Sequence, residues 1–159
     1  MLFRSRQVEV DVEHLITGPG TTRLNPGEVL TSFFLPKITP SSGTAYMKLG
    51  RREGMDCALV GVAAFLNLGD KNSGASEARI ALAAVGPVPL RARKAEEVLL
   101  AGPLTEERMQ EAAKAAADGS LPISDMRASG SYRQEMVRVL TLRALRLALD
   151  RAQGRKRQN

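Results

Sequence analysis

The sequence has little aromatic content, no tryptophan, one cysteine and one histidine. Aromatic residues make up 4% of its 159 residues and apolar residues 43%, so the core must consist of aliphatic side chains and alanine. The single cysteine, Cys57, excludes an internal disulfide and a metal site built from several cysteines. Because Cys57 lies in an apolar run, we expect a buried and unreactive thiol.

Long apolar runs are also absent. No run reaches the roughly 18 residues that a membrane-spanning helix needs, and the N-terminus does not resemble a signal peptide. These features predict a cytoplasmic protein without a membrane span. The length is that of one ordinary domain.

The chain carries a formal net charge of +6, which raises nucleic-acid binding as one possible function. Part of the excess lies in a basic tail over residues 154–159, and no aromatic residues alternate with the basic ones to stack on bases. A solvated tail and solvated helix faces explain the charge better. Nucleic-acid binding is therefore kept as an alternative only.

The first 40 residues predict short strands separated by turns. Residues 7–12 (QVEVDV) alternate in the manner of a strand, and residues 28–35 (EVLTSFFL) predict a second strand that Pro36 ends. The following ITPSSG has the composition of a linker, so an internal boundary is expected within residues 36–43.

Three further strands are predicted at residues 44–49, 57–68 and 78–85, with a turn over residues 69–76. Their spacing is typical of an antiparallel meander. The alanine-rich second segment is also compatible with a helix, but its β-branched residues and Gly61 favour a strand.

The last part of the sequence predicts three helices. The first covers residues 93–100, and the second follows a cap at Thr105 and extends to Gly119. The third is expected to be capped by Ser131 and to end near Gln153. Strands followed by helices predict an α+β fold.

Few residues are candidates for chemistry. His14 has no serine or second histidine placed to complete a catalytic set, so we expect it on the surface. The GPG at residues 18–20 has no helix behind it and therefore predicts a turn rather than a phosphate-binding loop.

A charged cluster within residues 48–56 is a stronger candidate. Its members Lys48, Arg52 and Asp56 can hold a phosphate, a ribose or an anionic ring edge, or they can form a loop whose charges pair in solvent. Tyr46 lies in the strand before them, where it can stack on a planar cofactor or end the core. The residues alone favour the second reading in both cases.

Three quoted stretches occur in the order and spacing of a known family. They are AYMKLGRREGMDCALVGVAA, RIALAAVGPVPLRARKAEEVLLAG and RASGSYRQEMVRVLTLRAL, and the match extends from residue 44 to about residue 149. This part resembles the C-terminal domain of the FAD-binding medium subunit of molybdenum hydroxylases of the carbon monoxide dehydrogenase and xanthine dehydrogenase type. The stretch VEVDVEHLITGPGTTRLNPGEVLTSFFLP resembles the closing segment of the preceding FAD-binding domain.

The resemblance implies a division of the chain. Residues 1–40 would close an otherwise missing FAD-binding domain, residues 41–153 would form the C-terminal α+β domain, and residues 154–159 would be a basic tail. It also implies a small antiparallel sheet of three to four strands covered by three helices.

The function implied by the resemblance is electron transfer between the iron–sulfur clusters of a small subunit and FAD, with substrate oxidised at molybdenum in a large subunit. Tyr46 would pack against the flavin ring, with Lys48, Arg52 and Asp56 near that edge. No glycine-rich phosphate loop precedes Leu35, so the chain alone is expected to bind FAD weakly. A docking module without flavin is the other alternative.

Overall fold

The computed structural model describes residues 7–52, 54–69 and 74–154, in which a four-stranded antiparallel sheet packs against three helices. The sheet has the strand order β3-β4-β5-β6, and a separate two-stranded ribbon pairs β1 with β2. The strands are β1 (Ile16–Gly18), β2 (Thr21–Thr22), β3 (Ser42–Leu49), β4 (Val60–Leu68), β5 (Ala75–Ala83) and β6 (Leu90–Arg91). The helices are α1 (Arg93–Leu100), α2 (Glu106–Asp118) and α3 (Gly130–Ala152).

The predicted meander and the α+β class are confirmed. β3, β4 and β5 pair in sequence order, and the segment that was compatible with either a helix or a strand is the central strand β4. β5 begins three residues before the predicted position, and residues 70–73 of the predicted turn lie outside the described residues. The short strand β6 adds an edge beside β5.

The helices agree with the sequence except at one cap. α1 has the predicted bounds, and the Thr105 hydroxyl accepts a hydrogen bond from the Arg108 amide (3.2 Å) at the start of α2. The prediction of Ser131 as the α3 cap is wrong. Ser129 is the cap, because its hydroxyl accepts from the Tyr132 amide (3.2 Å) and the helix begins one residue earlier than Ser131.

One face of the sheet forms the core together with the helices. Helix α3 packs on β3 and β4, α1 packs on β5, and α2 lies against α1 and α3. Side chains alternate along each strand, so every second residue faces the helices. The largest fully buried side chains include Val60, Val62, Leu66, Ile80, Leu82, Leu99, Val137 and Leu145.

The N-terminal segment differs from its prediction. Residues 7–12 form no strand but lead into a 3-10 turn at Val12–His14, and residues 28–35 form no strand either. Both stretches are exposed, and neither pairs with a strand among the described residues, so alternation alone did not produce a sheet.

The prediction of a buried Cys57 is also wrong. Its side chain is exposed, because β4 begins at Val60 and Cys57 belongs to the loop that precedes it. Among the helices of the described residues, none combines the length and apolar character needed to cross a bilayer.

The contact between Gly43 and α3 limits the size of the residue at this position. A Cβ atom built on Gly43 would overlap the carbonyl oxygen of Ala148 and lie 2.6 Å from the Ala152 nitrogen. Because both neighbours are helix backbone, neither can move aside without shifting α3 as a whole.

We predict that Gly43→Ala lowers the free energy of unfolding by about 2 kcal/mol, as overpacking of a close contact does. Chemical denaturation followed by circular dichroism measures it. Gly119→Ala is the matched control, since a Cβ there meets only ordinary contacts and should leave stability unchanged or slightly raised. Equal free energies of unfolding for the two variants would contradict the claim that the α3 backbone excludes a side chain at position 43.

Candidate functional site

The sheet face that points away from the helices carries the candidate site. The strand register aligns Tyr46, Ala63, Ala81 and Arg91 in one row across this face, which we call the open face. The row has an aromatic ring at the β3 edge, an arginine at the β6 edge and two alanines between them. Such a row is a flat, apolar floor with polar groups at its ends.

A cavity of about 470 Å³ lies on the open face. Its apolar lining comes from both the sheet and the N-terminal segment and includes Val12, Ile16, Ala63, Phe65, Ala81 and Pro89. Three charged side chains, Glu13, Arg79 and Arg91, also line it. A mainly apolar cavity of this size with a few polar groups is typical of small-molecule sites.

Tyr46 lies on the open face over a residue without a side chain. It is 61% exposed, and a Cβ atom built on Gly61 would lie 3.0 Å from the Tyr46 hydroxyl oxygen and 3.6 Å from a ring carbon. Glycine at this position of β4 therefore lets the phenol ring lie close to the sheet. The ring remains available to a ligand on its other side.

The other three predicted site residues lie together in the loop between β3 and β4. The Lys48 Nζ donates to the Asp56 carbonyl (2.6 Å), and the Asp56 carboxylate accepts from the Arg51 amide (2.5 Å). The Arg52 guanidinium donates to the Met55 carbonyl (3.1 Å). None of Lys48, Arg52 and Asp56 lines the cavity that Tyr46 lines.

The contacts of these three side chains are with backbone groups of the loop rather than with one another's charges. The hydrogen bond from the Arg51 amide is the main cause that lowers the pKa of Asp56, so the carboxylate stays ionised and closes the loop. Much of the charge is thus used within the loop itself.

The β6 edge holds an ion-pair network that sequence reasoning missed. The Arg91 Nε and Nη2 donate to the two oxygens of Glu96 (2.6 and 2.9 Å), and its Nη1 donates to Glu13 (2.8 Å). Arg93 also donates to Glu13 (2.6 Å). Glu96 is buried and accepts the Ile80 amide (2.8 Å). Arg91 and Glu96 are only five positions apart, but nothing in the local sequence indicates that Arg91 also pairs with Glu13, 78 residues away.

A second missed residue, Arg133, holds the loop before β4. Its side chain is buried, and its Nη1 donates to the Leu59 carbonyl (2.8 Å) while Nη2 donates to Asp125 (2.8 Å). Hydrogen bonds from Arg127 and then from Arg133 hold the pKa of Asp125 well below its usual range. The quoted stretch RASGSYRQEM contained Arg133, but burial could not be inferred from a charged residue in a helix.

The remaining candidates behave as surface features. His14 is exposed, as predicted, and lies 3.9 Å from Asp11. The GPG at residues 18–20 connects β1 to β2, as predicted for a turn. In the described part of the chain, no group of three or more histidine, cysteine, aspartate or glutamate side chains could hold a metal ion.

The sequence profile of the CO dehydrogenase flavoprotein C-terminal domain matches residues 44–148. The chain belongs to this family. The match runs from within β3 to within α3 and includes β4, β5 and β6, so the open-face row and the Arg133 contacts belong to the family domain.

Named relatives are subunits of oxidoreductases. The chain is 30% identical over 148 residues to the 6-hydroxypseudooxynicotine dehydrogenase complex subunit alpha of Paenarthrobacter nicotinovorans, which covers 93% of the chain and 49% of that protein. It is 29% identical over 147 residues to the xanthine dehydrogenase FAD-binding subunit of Escherichia coli O157:H7, covering 92% of the chain and 50% of that protein.

Solved structures agree with the fold. Carbon monoxide dehydrogenase from Hydrogenophaga pseudoflava, lacking the Mo-pyranopterin moiety of its cofactor, superposes with a TM-score of 0.81 at 34% identity, covering 87% of this chain and 47% of that one. Quinoline 2-oxidoreductase from Pseudomonas putida 86 gives 0.76 at 32% identity, covering 89% and 47%. The chain thus spans about half the length of the relatives it matches.

We predict that Arg133→Met lowers the free energy of unfolding by about 2–3 kcal/mol, because it leaves the Leu59 carbonyl without its donor and Asp125 with one arginine fewer. Arg138→Met is the control on the same helix. Arg138 pairs with Glu135 in solvent, so its loss should be nearly silent. Denaturant titration measures the free energy of unfolding of both variants. An unchanged value for Arg133→Met would disprove that Arg133 stabilises the loop before β4.

Proposed function

We propose that this chain is the C-terminal domain of an FAD-containing electron-transfer subunit of a molybdenum hydroxylase. Family membership and the named FAD-binding relative support the proposal. The single observation that carries it is the open face, where the exposed ring of Tyr46 and a floor of alanines line an apolar cavity. When bound, FAD would supply the redox chemistry, and the protein would supply the binding and orientation of the flavin ring.

The open face fits the ring part of a flavin. A tricyclic ring is flat and mainly apolar, and Ala63 and Ala81 leave room for it above the sheet. Tyr46 would pack against the ring, since offset stacking of aromatic systems is favourable beyond the area it buries. Arg79 on β5 pairs with Glu77, and Arg91 on β6 pairs with Glu96 and Glu13; each guanidinium would offer its remaining N–H groups to polar ring atoms on that side.

The loop charges would lie near the Tyr46 end of the ring. The Lys48 side chain uses one donor on the Asp56 carbonyl, and an ammonium group has two more to offer a carbonyl or an anionic group. Arg52 and Asp56 would act mainly by shaping this loop, because their contacts are with its backbone.

The phosphate part of FAD has no corresponding cradle among the described residues. The GPG turn precedes a two-residue strand and not a helix, so its amides do not converge on an anion. We propose that the binding site for the FAD phosphates is supplied by another polypeptide segment. Residues 1–40 would then close that FAD-binding domain, residues 41–153 would form the domain described here, and residues 154–159 would be a tail, of which residues 155–159 lie outside the described range.

Exposed apolar side chains support this division. Five such side chains lie in one extended stretch and are between 66% and 83% exposed. They are Val29, Phe33, Phe34, Leu35 and Ile38. Consecutive large apolar residues rarely remain in water on a finished surface. The same observation favours a second candidate, a docking module that covers this stretch with a partner and never holds flavin.

The partners would be an iron–sulfur small subunit and a molybdenum-containing large subunit in the cytoplasm. The support is that relatives are named as medium chains or as subunits of a complex. In such an assembly the domain would receive no substrate itself. Its own residues would bind and orient the flavin ring and exclude water from it.

The test joins this chain behind the first half of the CO dehydrogenase medium chain of Hydrogenophaga pseudoflava. We expect the chimera to acquire visible flavin absorbance and the chain alone to bind FAD weakly. Tyr46→Ala in the chimera should raise the dissociation constant of FAD about fivefold, from the lost stacking. Fluorescence titration measures it.

Tyr132→Ala is the control, because Tyr132 is 47% exposed but lies in the first turn of α3, not on the open face. Flavin binding that is insensitive to Tyr46 would contradict the ring position. A chimera that folds but never acquires flavin would favour the docking module instead.

A further inference from the structure

Glu13 connects the N-terminal segment to the rest of the structure. Within the described residues, it is the only residue of positions 7–38 whose hydrogen bonds reach positions 42–154. Its two carboxylate oxygens are shared between Arg91 (2.8 Å) and Arg93 (2.6 Å). One side chain therefore provides the polar attachment of about 30 residues.

The partner on the sheet is held rigidly. Arg91 uses two of its nitrogens on Glu96, which is buried and also accepts the Ile80 amide of β5. The Arg91 and Glu13 side chains are only 24% and 34% exposed. An ion pair between a fixed guanidinium and a partly shielded carboxylate loses less to solvent and to side-chain entropy than a pair on the open surface.

The attachment point lies in the cavity wall. Val12 and Ile16 stand on either side of Glu13 in sequence, and all three line the cavity on the open face. The 3-10 turn at Val12–His14 and strand β1 bring these side chains over the sheet. If the carboxylate were released, no other hydrogen bond in the described part of the segment would keep Val12 and Ile16 in place.

We propose that Glu13 is a positioning residue for the open-face cavity: held by Arg91 and Arg93, it fixes the wall made by Val12 and Ile16 and so preforms the ligand site. The proposal deepens the proposed function, because the occupant of this cavity is taken to be the flavin ring. The position of the wall itself does not depend on that identity.

The charges around Glu13 give its ion pairs with Arg91 and Arg93 a defined pH dependence. Arg91 on β6, Arg93 at the start of α1 and His14 next to it in sequence face the carboxylate, with Glu96 behind Arg91. The hydrogen bond from Arg91, with smaller effects of Arg93 and His14, lowers the pKa of Glu13. A lowered folded pKa means that the stabilisation is complete above the unfolded value and is lost as the pH falls through the folded one.

The experiment compares Glu13→Gln with Glu9→Gln in the 159-residue chain. Both changes replace an exposed-segment carboxylate by an amide of the same shape, but Glu9 has no side-chain hydrogen bond among the described residues. Backbone order parameters of residues 12–18 should be near 0.85 in the wild type and in Glu9→Gln, and below about 0.6 in Glu13→Gln. The midpoint of thermal unfolding should fall by no more than a few degrees, since the core of sheet and helices keeps its packing and only the Glu13 contacts to Arg91 and Arg93 are lost.

Two further readouts separate positioning from a general structural role. Lowering the pH from 7 through the lowered pKa of Glu13 should disorder residues 12–18 in the wild type, whereas Glu13→Gln is already disordered at every pH. Glu13→Asp keeps the charge and should restore much of the order at pH 7. Lumiflavin, the ring without phosphates, should bind Glu13→Gln about fivefold more weakly than Glu9→Gln, which corresponds to a wall in place about one fifth of the time.

The outcomes have distinct meanings. Unchanged backbone order of residues 12–18 in Glu13→Gln would overturn the claim that Glu13 holds this segment in place. Lost order with unchanged lumiflavin affinity would overturn the role of the wall in the ligand site. If lumiflavin does not bind the wild type, even weakly, the flavin assignment of the open face fails, while the order parameters still decide whether Glu13 holds the segment.

Discussion

The burial of one sheet face under the helices is the interaction on which the rest of the structure depends. Helix α3 lies so close to β3 that Gly43 meets its backbone directly, and the aliphatic residues of β4 and β5 fill the space beneath α1 and α3. With few aromatic residues available, the core relies on short distances and on alanine. Because side chains alternate along a strand, burial of one face leaves every second residue on the opposite face. The open face, with Tyr46 and its alanine neighbours, is a geometric consequence of the core.

Two long-range ion-pair groups position the loop before β4 and the N-terminal segment, which lie outside the core. Arg133 reaches from α3 to the carbonyl of Leu59 and to Asp125, and Glu13 reaches from the N-terminal segment to Arg91 and Arg93. Both use arginine, whose guanidinium can bind several acceptors at fixed angles. Both also act on segments outside the four-stranded sheet and the three helices, to which they add side-chain hydrogen bonds.

Much of the fold could be predicted from the sequence because its signals are local. Alternation and helix formers placed the strands of the meander and all three helices, and the Thr105 cap followed from its spacing to the next turn. The strand at residues 28–35 was wrong because a strand needs a partner, which the sequence does not reveal. Ser131 was wrong because the pattern of the final helix did not distinguish it from Ser129 two residues away.

The candidate site was predictable only in part, for the same physical reason. Tyr46 could be placed on a strand near a charged loop, and the structure puts it on the open face. Lys48, Arg52 and Asp56 were grouped by proximity in sequence, and in the structure their contacts are with the loop backbone. The pairing of Glu13 with Arg91 joins positions that only the folded sheet brings together.

A domain built in this way is well suited to cover a ring and poorly suited to hold phosphates. An antiparallel sheet face offers a flat apolar area, whereas anion binding needs converging amides at a helix start or a glycine-rich loop. The chain spans about half the length of its relatives, and the side chains of Phe33, Phe34 and Leu35 are exposed. Division of one cofactor site between two folds would let each fold supply the surface that its own geometry provides. Glu13 would then matter most, because it joins the N-terminal segment, which the proposal assigns to the other fold, to Arg91 and Arg93 of this one.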